Sequence, residues 1–204
     1  TIDNYTGNLT LTNNADDGDI IFQSDDGSGG ITEYFRLDGG LSSPYTVFPD
    51  NSTLTIGTGF DLKMYHNGSN SYIDQTGTGH LYIRNTTDDA DIIFQSDDGS
   101  GGVETYFFLD GSNGLTTFPD NKKLGFGNAS DLRIFHDGTN NQILANNGHL
   151  TIEVGEDDHS MYLKCDNGSG GTTAYLTLDG SAGYTTVQKN MRFADSVYLE
   201  VGAS

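Results

Sequence analysis

The sequence predicts an all-β protein that forms an elongated, repetitive fibre. Three observations lead to this prediction. Aromatic and β-branched residues come in short bursts separated by Gly, Asn, Asp and Ser, which is typical of many short strands joined by turns. No window keeps an apolar period of 3.6 residues, so we expect almost no helix. The third observation is an internal repeat that runs through nearly the whole chain.

The repeat is clearest in the stretch DIIFQSDDGSGG, which occurs at Asp19–Gly30 and again at Asp91–Gly102. Other matching stretches are also spaced 69 to 72 residues apart. Repeats at such a period indicate an array of similar structural units. We therefore divide the sequence into units 1–72, 73–142 and 143–204. The first starts within a unit and the third is incomplete, so we expect an excerpt of a longer array.

The first two strands of each unit follow from the repeated stretch. Residues 20–23 form one strand, which runs into a Gly-rich turn and returns as TEYFRLDG. Within the returning strand Phe35 and Leu37 stay apolar in every copy, whereas the residue between them changes freely. An apolar pair around a permissive position predicts a half-buried strand.

A later strand of the unit carries a histidine. Leu62, Met64 and His66 share one face of this strand. The dipeptide Asn67-Gly68 follows it and predicts a hairpin turn in which both residues adopt positive φ. Another strand begins at the sequence GHL, with His80 as its first residue. We expect six or seven short strands in each unit.

The apolar stripes of these strands are narrow, with two or three inward residues on each strand. Repeat units of this kind bury their apolar faces against neighbours. A single-chain β-solenoid is one arrangement that does so, and several chains wrapped around a common axis are another. Solenoid coils recur at shorter periods than this unit, which shows no convincing sub-period. We therefore favour an intertwined homotrimer, a β-helix or β-prism shaft, with the solenoid as the alternative.

The composition limits the classes of partner. The chain has 9 Lys+Arg and 29 Asp+Glu, which give a formal net charge of −20. A surface this acidic repels nucleic acid and anionic lipid, and no apolar run is long enough to cross a membrane. We expect neither a nucleic-acid partner nor membrane insertion. The one cysteine, Cys165, cannot form an internal disulfide and is expected to be a small buried side chain.

The acidic, Gly-rich turn is a candidate calcium site. Its carboxylates are Asp25 and Asp26 in the first unit and Asp97 and Asp98 in the second. The turn lacks the lysine of a phosphate-binding loop and the acid spacing of an EF-hand, but calcium could bind between two such turns. The third copy has Asn167 in place of one acid, which favours the alternative of a solvated hairpin turn without an ion.

His66 and His136 are candidate ligands for a transition metal or an anion. They occupy the same position on the apolar face of equivalent strands, so three chains around one axis would form two rings of three imidazoles. The alternative is that each imidazole forms a hydrogen bond with the adjacent turn residue, Asn67 or Asp137. Apart from these ions we expect no cofactor.

The sequence indicates a structural protein rather than an enzyme. A catalytic site needs a nucleophile, a base and an orienting group in one place, whereas every candidate Asp, His and Ser recurs at the repeat spacing. Exposed aromatic residues such as Tyr65 could stack on sugars. Packing between neighbouring strands is the simpler role for them.

The stretch DLKMYHNGSNSYIDQTGTGHLYIRN, residues 61–85, resembles repeats in tail fibres and other virion structural proteins of marine bacteriophages, cyanophages especially. The resemblance covers most of the chain, because the chain consists of that repeat. It implies a trimeric fibre shaft on a virion or otherwise outside the cell, with other virion tail proteins as partners. The implied role is host-surface attachment, with a surface glycan as a further partner. The alternative is a secreted, calcium-dependent bacterial adhesin or matrix fibre that itself binds carbohydrate.

Overall fold

The computed structural model describes residues 5–199 and residue 202, and it confirms the all-β prediction. Within this part of the chain there is no helix, and therefore none that could span a membrane. Its strands form antiparallel sheets of three strands each, and every strand pairs with its neighbour in sequence. The chain divides into two units, Thr1–Asn85 and Thr86–Ser204, which contain two and three of these sheets.

The first unit contains the first and second sheets. The first sheet consists of β1 (Ile20–Asp25), β2 (Ile31–Asp38) and β3 (Tyr45–Val47). The second sheet consists of β4 (Leu54–Ile56), β5 (Leu62–His66) and β6 (Ser71–Gln75).

The second unit repeats this pair of sheets and adds half of another pair. The third sheet consists of β7 (Ile92–Asp97), β8 (Val103–Asp110) and β9 (Leu115–Thr117). The fourth consists of β10 (Leu124–Phe126), β11 (Leu132–His136) and β12 (Asn141–Ala145). The fifth consists of β13 (Met161–Asp166), β14 (Thr172–Asp179) and β15 (Tyr184–Val187).

One sequence repeat thus corresponds to two sheets and six strands, within the expected number. Equivalent sheets have the same strand register, including the same register shift. The first, third and fifth sheets each carry a bulge in their second strand, where one extra residue (Tyr34 in the first sheet) lies opposite the step from Phe22 to Gln23 of the first strand. Such a bulge bends the strand and increases its twist. The predicted strand at residues 20–23 is therefore present, and it continues beyond the bulge to Asp25.

The repeated Leu-Asp-Gly sequence ends the second strand of these sheets with a close backbone contact. The Gly39 amide donates a hydrogen bond to Asp19 Oδ1 at 2.9 Å, and the Gly111 amide donates the equivalent bond to Asp91 at 3.0 Å. A Cβ atom on Gly111 would lie 2.5 Å from the carbonyl oxygen of Ala90. Glycine is therefore required here because two backbone segments approach each other.

The hairpin predicted at Asn67-Gly68 is confirmed, but its turn type is different. The loop between β5 and β6 has four residues, and of the predicted pair only Gly68 has a positive φ, of 86°. The Asn67 side-chain oxygen accepts hydrogen bonds from the backbone N–H groups of Ser69 and Asn70, at 3.0 and 2.9 Å. Asparagine closes this loop through its side chain, as an Asx turn, rather than through a left-handed backbone.

Two sequence expectations are wrong within the described residues. The segment that begins at His80 is not a strand, because it has no paired neighbour. Cys165 lies on β13 and is exposed rather than buried, because nothing in the described part of the chain covers that strand.

The sheets do not pack around a shared hydrophobic core in the described part of the chain. Among residues 5–199 and 202 no apolar side chain is buried, and Thr177, at 5% exposure, is the only buried residue. The chain exposes 16589 Å², whereas a compact monomer of this mass exposes about 9,300 Å², and two separate compact units about 11,000 Å². The sheets are single layers whose faces remain accessible.

Candidate functional site

The Gly-rich turn between β1 and β2 is organised by the carboxylate of Asp26. Its Oδ1 accepts hydrogen bonds from the Ser28 and Gly30 backbone N–H groups, at 2.7 and 3.0 Å, and from the Ser28 hydroxyl at 2.9 Å. These donors, the Ser28 amide first, lower the pKa of Asp26 below its ordinary value. Asp25 Oδ2 accepts a further bond from the Gly27 amide at 3.0 Å. The acids therefore hold the turn together.

The other copies of the turn show which part of the carboxylate is needed. Asp98 accepts the same two backbone bonds, from Ser100 at 2.6 Å and Gly102 at 3.0 Å, and the Gly102 amide is the main cause of its lowered pKa. Asn167 occupies this position in the third copy, and its side-chain oxygen accepts bonds from Ser169 and Gly171. One oxygen atom is sufficient, so the turn requires an acceptor and not a charge.

Calcium at Asp25, Asp26, Asp97 and Asp98 stays a prediction. Within the described residues no three His, Cys, Asp or Glu side chains are grouped so that they could hold a metal ion. An ion at these turns would therefore need ligands beyond these side chains, such as backbone carbonyls, waters or groups of another chain.

His66 and His136 lie on the same face of their sheets as the apolar residues, as the alternation of the strand predicts. His66 is paired with Ser71 across β5 and β6, and His136 with Asn141 across β11 and β12. The axial rings of imidazoles stay a prediction, because they involve three chains.

The side-chain hydrogen-bond partners of these histidines are not Asn67 and Asp137. His66 Nδ1 lies 3.0 Å from the Ser71 hydroxyl. His136 Nδ1 lies 2.8 Å from Asp120 Oδ1, and this hydrogen bond raises the pKa of His136 above its ordinary value. Sequence reasoning missed Asp120 because it is 16 residues away, in the turn that precedes β10.

An arginine cluster on the first sheet was also missed. Arg36 on β2 forms ion pairs with Glu33 at 3.0 Å, with Asp38 at 3.0 Å and with Asp19 at 3.4 Å. The signal was present in the sequence, because Glu33 and Arg36 occur together only in this copy. The equivalent residues are Thr105 and Phe108 in the second copy, and Ala174 and Thr177 in the third.

Aromatic residues pack across neighbouring strands, which is the simpler of their two expected roles. Tyr65 on β5 stacks on Tyr72 on β6 with ring centroids 4.9 Å apart. The Tyr65 hydroxyl donates a hydrogen bond to Asp74 at 3.1 Å, which raises the pKa of Tyr65 above its ordinary value.

The largest repeated feature is an apolar face on every sheet. Five apolar side chains share one face of each sheet, and we call this set the repeated apolar face. Its members, sheet by sheet, are Ile20, Phe22, Phe35, Leu37 and Phe48; Leu54, Ile56, Leu62, Met64 and Ile73; Ile92, Phe94, Phe107, Leu109 and Phe118; Leu124, Phe126, Leu132, Ile134 and Ile143; Met161, Leu163, Leu176, Leu178 and Val187.

Phenylalanine rings form a ladder across this face in the first two copies. Phe35 stacks on Phe22 at 4.4 Å and on Phe48 at 5.7 Å. The third sheet has the same ladder, with separations of 4.4 and 5.6 Å. The opposite face of the sheets varies between copies, as the change from Arg36 to Phe108 and Thr177 shows. The repeated apolar face is therefore the surface that all copies keep.

Comparison of the chain with protein-family models, with curated proteins and with solved structures gives no match.

Proposed function

We propose that this chain is a structural segment of a homotrimeric fibre shaft, of the kind that holds a host-binding tip away from a bacteriophage particle. The observation that carries the proposal is the repeated apolar face, which stays open on every sheet. Its members are partly exposed, for example Phe22 at 39%, Leu37 at 43% and Ile73 at 57%. A sheet with an apolar face needs another layer to cover it, and in this chain the other layer is another chain.

The size of the open surface supports an obligate assembly rather than a transient contact. The chain exposes several thousand Å² more than a compact protein of its mass. Permanent complexes bury about 2,000–5,000 Å² or more, whereas transient ones bury less. Those areas are summed over both partners, so the excess on one chain is large enough to supply its share of a permanent interface.

The charge distribution permits such an assembly. The formal net charge is −20, but the five members of the repeated apolar face on each sheet are uncharged. On the fourth sheet the hydrogen bond between His136 and Asp120 lies beside them. Contact through this face therefore brings few carboxylates together directly, and many of the acids lie in solvated turns, where they discourage edge-to-edge pairing between neighbouring fibres.

The intertwined trimer also accounts for the faces better than the single-chain solenoid. A solenoid covers its apolar face with successive coils of the same chain. The described residues bury no apolar side chain in this way. In this proposal the protein acts outside the cell as part of a virion, with other tail proteins and a host-surface glycan as partners of the complete fibre, and it is not an enzyme.

Light scattering on the purified 204-residue chain tests the proposal. The expected mass is three times the monomer mass of 21.9 kDa. A monomeric chain would overturn the intertwined trimer. Loss of β-structure in EDTA would favour the calcium-dependent adhesin instead, because a fibre held by its apolar faces needs no ion.

A further inference from the structure

Three segments have the pattern of a strand but no strand partner among residues 5–199 and 202. They are residues 8–12 (NLTLT), 80–84 (HLYIR) and 149–153 (HLTIE), and we call them the edge segments. Each follows a glycine with positive φ: Gly7 at 81°, Gly79 at 98° and Gly148 at 76°.

The edge segments alternate in the way a half-buried strand does. Their second and fourth residues are apolar in all three copies: Leu9 and Leu11, Leu81 and Ile83, Leu150 and Ile152. The residue between them varies, as Tyr82 stands where the other copies have threonine. This is the same alternation that correctly predicted β2. A solvated loop without packing contacts would not be expected to keep this apolar alternation in every copy.

The backbone of these segments is unpaired within the described part of the chain. None of their residues belongs to a sheet, and none forms a backbone hydrogen bond there. Their apolar side chains are open as well, with Leu11 at 54%, Ile83 at 63% and Ile152 at 64% exposure. Unpaired N–H and C=O groups beside exposed apolar side chains form a template for an added strand.

We propose that each edge segment is a β-strand that pairs with the backbone of a second copy of this chain. The proposal rests on the proposed homotrimer and adds the element that joins its chains by main-chain hydrogen bonds. Contact between apolar faces alone leaves register undetermined, whereas a ladder of hydrogen bonds specifies it.

Spacing identifies the partner as a second copy. The edge segments start 72 and 69 residues apart, and the first, third and fifth sheets of the same chain start at the same intervals. Another copy therefore presents matching backbone at each of the three positions. A chemically different partner would have to reproduce this spacing.

Charge is consistent with the same partner. The edge segments contain one cation, Arg84, and one anion, Glu153, in a chain with a formal net charge of −20. They are neutral strips on an acidic molecule, so two acidic copies can approach each other here without direct repulsion.

Hydrogen exchange on the assembled 204-residue chain tests the proposal, with the mass measured on the same sample. We expect alternate amides of residues 81–84 and 150–153, those that face the partner strand, to exchange as slowly as the hydrogen-bonded amides of β8, and at least tenfold more slowly than the Gly101 amide of the Gly-rich turn. A trimer in which these amides exchange as fast as that turn overturns the edge-segment pairing and leaves the proposed function intact.

The mass separates the remaining outcomes. A monomer with fast exchange overturns both the trimer and the pairing that rests on it. A monomer with slow exchange overturns the pairing too, because protection would then need no second copy.

A pair of matched variants gives a second readout. Leu81→Thr with Ile83→Thr removes the apolar pair, keeps β-propensity and adds no charge, so we expect at least a tenfold weaker association. Tyr82→Thr introduces the residue found in the other two copies, and its association should stay within threefold of the unchanged chain. Equal effects of the two variants would contradict an inward-facing Leu81 and Ile83.

Discussion

At the residue scale, the acidic turn shows how a side chain that looks like an ion ligand serves local structure. Asp26 uses one oxygen to accept three hydrogen bonds within its own turn. The amide oxygen of Asn167 accepts the two equivalent backbone hydrogen bonds in the third copy. The two side chains differ in charge, but each provides an oxygen that accepts hydrogen bonds from the backbone of the turn.

The turn therefore gives a prediction about Asp26. Asp26→Asn should leave the melting temperature nearly unchanged, because the amide keeps the acceptor for Ser28 and Gly30. Asp26→Ala should lower it, because both backbone donors lose their partner. Thermal melts of the two variants followed by circular dichroism check this. Equal losses in Asn and Ala would indicate that the turn needs the charge, as an ion site would.

His136 gives a prediction about pH. Its hydrogen bond to Asp120 raises its pKa above the ordinary value of about 6.5. The folded state then binds the proton more tightly than the unfolded state, so the stabilisation is fully present below about pH 6.5 and is lost as the pH rises through the raised pKa. We expect Asp120→Asn to lower the melting temperature at low pH and to have little effect at high pH.

The control for this prediction is the titration of His136 itself. Its ring proton resonances, followed by NMR, should titrate at a lower pH in Asp120→Asn than in the unchanged chain. An identical titration in both would show that Asp120 is not the partner that shifts the pKa.

At the scale of the element, the sheets show which parts of the structure a sequence can predict. The strand that contains Phe35 and Leu37 was predicted because alternation is a local property of the chain. The turn type after His66 was not, because Asn67 satisfies the loop through its side chain instead of its φ angle. Strand formation at His80 also depends on a partner strand, and local alternation contains no information about where that partner lies.

The candidate site follows the same division. The face that contains His66 follows from the period of the strand, whereas the Asp120 partner of His136 depends on a turn brought close by the fold. The Arg36 cluster could be predicted from the sequence only in part. Its members span 20 residues of sequence, but the joint loss of Glu33 and Arg36 in the other copies marks them as a pair.

The phenylalanine ladder gives a prediction at this scale. Phe107 stacks on both Phe94 and Phe118. If a neighbouring chain covers the ladder, Phe107→Ala should cost about 3–5 kcal/mol per chain, as for a buried Phe. Phe107→Leu introduces the leucine of the third copy, Leu176, and should cost less than Phe107→Ala, because it loses the ring contacts but keeps most of the apolar side chain. Urea unfolding at fixed chain concentration measures both values.

The same measurement can contradict a covered face. If the sheets stay open, Phe107→Ala loses mainly its two ring contacts, which are worth about 0.5–1.5 kcal/mol each and so about 1–3 kcal/mol together. A loss of about 2 kcal/mol or less would therefore indicate that no second layer lies on the third sheet.

At the scale of the whole molecule, charge and apolar surface act against each other. The formal net charge of −20 on each chain opposes the gathering of several chains, while the open apolar faces favour it. The two contributions respond differently to the solvent. Salt shortens the range of charge repulsion to about 10 Å at 0.1 M and about 3 Å at 1 M, and it leaves apolar burial largely intact.

Stability should therefore depend on both salt and chain concentration. We expect the melting temperature to rise from low to moderate NaCl as repulsion between acidic chains is screened, and to rise with chain concentration because assembly favours the folded state. Calorimetry at several concentrations of salt and of chain measures both trends.

Magnesium and calcium at equal concentration should stabilise the chain equally if cations only screen the acids. A larger effect of calcium would instead show a calcium site at turns such as Asp25-Asp26, and a melting temperature independent of chain concentration would contradict the assembly.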